Sequence, residues 1–272
     1  MPAAEPLLQI ERAEKLFGSR RVIDGLDLQI CEGEIVSIVG PSGCGKSTLL
    51  RIIAGLDRDF GGSVSVLGHS PQLHSRDVGL IFQEPRLLPW LTIAGNVGFN
   101  RGRRGRDDPR IRELLEEVGL AEHATAWPKQ LSGGMAQRAA IARGLFTQPR
   151  LLLLDEPFSA VDAFTRMRLQ DLLLSVAAHH GTTLLMITHD ISEAIYLSDR
   201  VLVLASRPAQ LLGEVRVPLP RPRRRTHPML GTLATDTMAL LERTGTTSSS
   251  PSHGDESSDE ADEATRHSDG EP

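Results

Sequence analysis

Gly40-Pro41-Ser42-Gly43-Cys44-Gly45-Lys46-Ser47-Thr48 stands between one apolar run, Glu34 to Val39, and another that continues to Ala54. Strand, glycine-rich turn and helix in that order decide the fold. Glycines at 40, 43 and 45 let the backbone close into a concavity whose N–H groups face a phosphate, and the helix that follows offers the positive end of its dipole. Lys46 adds a point charge for the β- and γ-phosphates. Ser47 brings a hydroxyl to the place where Mg²⁺ bridges those phosphates, and Thr48 a second hydroxyl nearby.

Further along, Leu151-Leu152-Leu153-Leu154-Asp155-Glu156-Pro157 reads as a buried strand ending in two acids, the Walker-B pattern. Open α/β sheets bind ligands at such strand ends. Asp155 is expected to reach the Mg²⁺ through a coordinated water, and Glu156 to orient and deprotonate the attacking water. Another apolar strand, Thr183 to Ile187, leads into Thr188-His189-Asp190, which places His189 at the same edge to hydrogen-bond the γ-phosphate and align Glu156. Gln83, after the strand-like 78–82, has an amide oxygen for Mg²⁺ or the water, although in isolation it reads as a loop glutamine. In Leu131-Ser132-Gly133-Gly134-Met135, Ser132 is a good N-cap and the glycines bare backbone N–H groups. An ordinary capped helix has the same start. The chain already holds a complete phosphate loop, however, so this second anion site is free for a nucleotide held by another copy.

The remaining segments fit an α/β architecture. Phe164 to Ala178 carries Leu169, Leu172, Leu173 and Val176 at helical spacing. Between Gln83 and Phe146 helices follow one another without strands, an inserted helical subdomain at about 84–146. Leu7 to Ile30 and Ser63 to Leu67 alternate as strands of a small antiparallel sheet, with Asp24-Gly25 as a turn signal. With 40% hydrophobic residues among 272, the chain can bury one large core or two modest ones, while its apolar runs fall far short of the roughly 20 residues that span a bilayer. Met1 to Pro6 do not offer a basic start followed by an apolar stretch, so export is not expected. Two cysteines, Cys31 and Cys44, make no disulfide framework, so a reducing cytoplasm is expected. If Cys44 abuts the phosphates, bound nucleotide should shield it from alkylation.

Charge is uneven. Residues 245–272 hold eight acids against Arg266, a net of −7 within a chain total of −5. Rich in Ser, Thr, Asp and Glu, that tail cannot offset the entropy of ordering and is expected to be disordered, leaving 1–244 as the folded unit. The basic stretch Arg216 to Arg225 contains prolines and no interleaved aromatics, which argues for a surface strand and turn rather than a nucleic-acid site.

Taken together, these residues resemble the nucleotide-binding subunits of ABC transporters, from about Leu7 to about Leu230. The resemblance implies a P-loop NTPase with a RecA-like core, a small antiparallel β subdomain and an inserted helical subdomain. It makes Gly40 to Thr48 the phosphate loop, Gln83 the Q-loop glutamine, Leu131 to Met135 the signature, Ser159-Ala160-Val161-Asp162 the D-loop and His189 the switch histidine. Phe17 falls where the family stacks an aromatic on adenine; without the resemblance it reads equally well as a strand-end core residue. Met135 stands where the family usually has glutamine. That departure, with Gln83 to Trp90, Asn96-Val97-Gly98 and Asp162 to Arg166, is similar to the importers of nitrate, taurine and aliphatic sulfonates, sulfonates first. The resemblance then implies an ATPase with Mg²⁺, working as a homodimer across ATP, in which Ser132, Gly133, Gly134 and Met135 of one copy contact the nucleotide held by Phe17, Lys46 and Ser47 of the other. Two integral membrane permease subunits and, indirectly, an extracytoplasmic solute-binding protein would complete the importer, with this chain peripheral on the cytoplasmic face and Leu87, Leu88 and Trp90 transmitting motion, although Leu88 and Trp90 read equally well as core residues. A soluble ABC-type regulatory or binding module would share the nucleotide site, but such chains usually carry two cassettes or long coiled coils.

Overall fold

The computed structural model describes residues 6–72, 75–100, 102, 108–205 and 208–242. The run expected as a strand before the phosphate loop forms β3 (Ile35–Val39), with every residue buried. Parallel neighbours flank it, β7 (Thr183–Ile187) on one side and β8 (Arg200–Leu204) on the other. Beyond β7 lie β6 (Leu151–Asp155) and β5 (Val78–Ile81), also parallel, while antiparallel β9 (Leu211–Arg216) closes the edge beyond β8. Strands covered on both faces read as unbroken apolar runs, and successive side chains still alternate between faces. Leu151 and Leu153 therefore enter one core with Leu49, Ile52 and Ile53, and Leu152 and Leu154 enter another with Ile141, Leu145 and Leu169.

Helices supply those two layers. On the first face lies α1 (Lys46–Ile53), which opens directly on the phosphate loop. On the second lie α4 (Gly133–Leu145) and α5 (Ala163–His180), together with α3 (Pro109–Glu117). Among the described residues between β5 and β6 there are only helices and turns: α2 (Ile93–Val97), α3, short 3-10 turns and α4. After β7, α6 (Ile191–Leu197) precedes β8. A helix that the sequence reading did not anticipate, α7 (Pro228–Glu242), packs Leu233, Leu240 and Leu241 beside Val201, Val203 and Val215.

A separate three-stranded antiparallel sheet, ordered β2-β1-β4, is built from β1 (Leu8–Phe17), β2 (Arg20–Ile30) and β4 (Gly61–Val66). Its inner face joins the core that contains α1. The turn expected at Asp24-Gly25 is not one: the hairpin reverses at Gly18-Ser19, where Phe17 pairs with Arg20. Asp24 and Gly25 lie inside β2, where the pairing steps from Ala13↔Leu26 to Lys15↔Ile23, so β2 carries one extra residue. Gly25, at φ 63, takes the left-handed conformation that such a bulge requires.

The basic stretch expected as a surface strand and turn does begin at the end of β9 and is mostly exposed, but Arg223 departs from that reading. Arg223 is buried and donates to the carbonyls of Ile195, Tyr196 and Ser198 at 3.1, 2.9 and 2.7 Å, which satisfies the C-terminal end of α6. Arg221 pairs with Asp199 at 3.1 Å, and Arg225 stacks over Tyr196 while donating to Gln170. The acidic tail at 245–272 lies outside the described residues.

Candidate functional site

Three adjacent strands, β3, β7 and β6, end side by side at one edge of the sheet. Because their pairing is parallel and in register, the loop after β3, the segment 188–190 after β7 and the acids closing β6 all arrive there. Backbone bonds stitch the three together: Thr188 N donates to Ile38 O at 3.2 Å and Glu156 N to Ile187 O at 2.9 Å. Gly45, at φ 111, turns the chain into α1 and leaves no room for a side chain, since a Cβ would sit 3.0 Å from Val22. Pro41, Ser42 and Gly43 are exposed along the rim.

The charged groups meet in two pairs. Ser47 Oγ donates to Asp155 Oδ1 at 3.0 Å, and His189 Nδ1 lies 3.1 Å from Glu156 Oε2. Burial pushes the Asp155 carboxyl above its usual range, the Ser47 hydrogen bond partly opposes this, and the charge of Glu156 adds to the rise. A carboxylate held in that condition beside a hydroxyl, with only oxygen donors present, suits a hard divalent cation, which would restore the ionised form. Glu156 has a left-handed backbone, φ 46, unusual for a residue with a side chain. Lys46 is buried, and its ammonium donates to the carbonyls of Gly40 at 2.7 Å and Pro41 at 2.9 Å. Its third N–H has only the Cys44 sulfur at 3.8 Å and is the one that can turn to a phosphate oxygen.

Cys44 corrects the alkylation expectation. The residue is 1% exposed and its side chain belongs to the core beneath the loop. A thiol-reactive probe should therefore label Cys31, which is exposed, and leave Cys44 unmodified with or without MgATP. Mass spectrometry of the labelled peptides checks this; rapid nucleotide-sensitive labelling of Cys44 would contradict the burial.

The other expected residues are distributed around this cluster. Gln83 is exposed just beyond β5, whose Ile81 pairs with Leu154, but no hydrogen bond joins it to Ser47 or Asp155. Phe17 is 53% exposed at the end of β1, with the Lys15 ammonium 4.9 Å from its ring centre, so it is not a core residue. Ser132 caps α4 by accepting from Met135 N at 3.3 Å, and Gly133 is exposed. A Cβ on Gly134 would lie 2.4 Å from Thr165, so this glycine also lets α4 approach the start of α5. Asp162 caps α5 and accepts from Phe164 N and Thr165 N, both at 3.1 Å; the Thr165 side chain first, then these backbone bonds, hold its carboxyl below the usual range. Ser132 and Asp162 thus sit on neighbouring helix starts, and their capping bonds stay within those helices. Met135 packs against the helical core.

Several supporting residues were not singled out for a role by the sequence reading. Asn96, fully buried, accepts from Leu88 N at 2.7 Å and donates to the carbonyls of Leu88, Leu91 and Thr92, fixing the loop after Gln83. Arg143, near the end of α4, donates to the carbonyls of Pro85 and Arg86 at 2.7 and 2.8 Å and ties that loop to the helix Ser132 begins. Beneath His189, the Thr188 hydroxyl and Gln170 both donate to Glu193, a buried carboxyl pushed upward by its surroundings. An asparagine inside the apolar stretch Ile93–Val97 was the one signal in the sequence that could have pointed to such a holder.

The ABC transporter family model matches residues 23–159. The chain is 60% identical over 227 residues to an aliphatic sulfonates import ATP-binding protein of Burkholderia cenocepacia, covering 84% of each. It is 57% identical over 223 residues to a protein of the same description from Xanthomonas axonopodis pv. citri, covering 80% of this chain and 88% of that one. Among solved structures, an ATP-binding cassette in a dimeric post-hydrolysis state bound to ADP and Pi superposes with a TM-score of 0.66 at 32% identity, covering 77% of this chain and 98% of that one. A component of an ABC transporter complex from Clostridium perfringens superposes with a TM-score of 0.69 at 24% identity, over 78% and 89%, a likeness of fold alone.

Proposed function

Because the chain belongs to the ABC transporter ATP-binding family, we propose that it is the ATP-hydrolysing subunit of an importer whose solute is an aliphatic sulfonate. The hydrolytic part of this reading is carried by the Ser47–Asp155 and His189–Glu156 pairs at the ends of three adjoining strands. The solute is carried by the relatives' descriptions, since the solute meets other subunits. In this reading the phosphate loop and Lys46 bind the β- and γ-phosphates, and Phe17 offers its open face to the adenine. Mg²⁺ bound by Ser47, by Gln83 and through water by Asp155 would neutralise phosphate charge. Glu156 accepts a proton from the attacking water, and His189, already hydrogen-bonded to Glu156, holds that carboxylate in line.

The second anion site supports a head-to-tail homodimer. Ser132, Gly133 and Gly134 stand at the start of α4, next to Asp162 of their own chain at the start of α5, and would meet the γ-phosphate bound by a second copy. Met135 removes an amide from this surface but leaves the capping serine and both glycines in place. Loss of the γ-phosphate would then remove the bridge between copies and open the pair.

Among the described residues no helix is long and apolar enough to cross a membrane. A peripheral position on the cytoplasmic face, against two permease subunits served by an extracytoplasmic solute-binding protein, follows from the importer reading. The surface for a permease helix is a groove of about 630 Å³ lined by Phe82, Leu88, Phe99 and Arg143, with Trp90 66% exposed in the same loop. Arg143 and Asn96 hold this loop, so motion of α4 would reach the permease through it.

Growth separates the solutes. In a strain lacking this chain, growth on an alkanesulfonate as sole sulfur source should be lost, restored by the wild-type gene and not by Glu156→Gln. Loss of growth on taurine or nitrate with sulfonate growth intact would reassign the solute. Co-purification with ribosomes or DNA instead of an integral membrane protein would overturn the transport role itself.

A further inference from the structure

Away from the strand ends, α3 and α5 finish next to each other. Glu117, the last residue of α3, extends its carboxylate between two imidazoles at the end of α5: Oε2 lies 2.8 Å from His180 Nε2 and Oε1 lies 3.8 Å from His179 Nε2. One ligating atom from each of the three residues falls within 4.8 Å of the other two. The imidazole rings stand nearly perpendicular, at 83°, with centres 4.9 Å apart. Successive residues of a helix point about 100° apart, so convergence of both Nε2 atoms on one carboxylate is not a default of the helix. A His180–Glu117 hydrogen bond accounts for two of the three groups. It leaves unexplained why His179, whose side chain is 71% exposed and free to turn away, keeps its Nε2 3.8 Å from the second oxygen.

We infer that Glu117, His179 and His180 form a binding site for a divalent transition-metal ion, Zn²⁺ by its donor set. Two imidazoles and a carboxylate are borderline ligands that favour Zn²⁺ over Mg²⁺ or Ca²⁺, which take oxygen. Zn²⁺ holds such donors at about 2.0–2.1 Å, and therefore about 3.3 Å from one another, so side-chain rotations bring the present positions into range. Solvent reaches the site through His179, which leaves a coordination position for water. The bound ion would clamp the inserted helices to α5. Glu117 also lines, with Ser132 and Met135, a cavity of about 380 Å³ at the start of α4, so the clamp would sit behind the second anion site.

Full-length protein, freed of metal, should bind Zn²⁺ in competition with a chromophoric chelator, and Co²⁺ should give the visible absorption of a four- or five-coordinate ion. Other histidines and acids in the chain also attract Zn²⁺, so the readout is the difference between proteins. His179→Ala, at an exposed position where folding is not at risk, should lose one equivalent or weaken it at least about tenfold and abolish the Co²⁺ band. Glu117→Gln and His180→Ala, verified as folded by circular dichroism, should do the same. Equal Zn²⁺ stoichiometry and affinity in wild type and His179→Ala, with no Co²⁺ band in either, would overturn the site and leave a hydrogen-bonded pair. ATP hydrolysis plays no part in the measurement, so the result stands apart from the importer reading.

Discussion

Glu156→Gln should lower ATP turnover by about 10²–10⁴-fold, the usual range for loss of a general base, while nucleotide binding persists. The substitution keeps the size of the side chain and its left-handed backbone, so the strain at φ 46 is the same in both proteins. What disappears is proton affinity: an amide can still meet the His189 ring 3.1 Å away but cannot take a proton from water. Since Lys46, Ser47 and the start of α4 are untouched, ATP should accumulate between two copies. Light scattering in MgATP should then show a dimer that persists in the variant and is transient in the wild type. Undiminished phosphate release by Glu156→Gln would remove Glu156 from the role of base and shift attention to His189.

The parts of the molecule that could be read from the sequence are those where one physical constraint fixes both residue type and position. A strand covered on both faces must be continuously apolar, which is why β3, β6 and β7 could be found and why the acids after Leu154 stood out. The phosphate loop was legible for a similar reason, because Gly45 at φ 111 has no alternative residue. Tertiary context hid the rest. Asp24-Gly25 has the composition of a hairpin turn, but a bulge makes the same demand for a left-handed glycine, and only pairing with β1 tells the two apart. Arg223 looks like surface charge until α6 presents three unpaired carbonyls to it. Cys44 lies within a motif whose neighbours are exposed, yet its side chain points into the core. Arg143 is one arginine among many, and its importance arises from two carbonyls nearly sixty residues away. Of the site, the sequence shows which groups bear the chemistry; which supporting side chains hold them depends on contacts between distant segments.

Asp155→Asn should separate stability from activity, with the two moving in opposite directions. In the wild type the Asp155 carboxyl is pushed upward chiefly by burial, so the folded state binds its proton more tightly than the unfolded chain does. A group raised on folding contributes stability that is fully present below its unfolded value and is lost as pH rises through its folded value. Above that folded value, without nucleotide, the ionised Asp155 therefore weakens the fold. Asparagine has no charge to bury and can still accept the Ser47 hydroxyl hydrogen bond at 3.0 Å. The Tm of Asp155→Asn relative to wild type should accordingly become more favourable between about pH 4 and pH 7, since the unfolded carboxyl titrates near 3.9. Subtracting the wild-type curve cancels the titrating groups that do not interact with Asp155; the charge of Glu156, which does, acts in the same direction by adding to the rise. Activity should fall by at least about a hundredfold, the scale seen when one electrostatic group at a reacting centre is removed. Mg²⁺ with ATP should raise the Tm of the wild type more than that of the variant, because the cation offsets the charge that burial penalises. A variant that becomes progressively less stable than the wild type from pH 4 to pH 7 would reverse the assigned cause: Asp155 would be held by partners that stabilise its charge, and its surroundings would not be waiting for a cation.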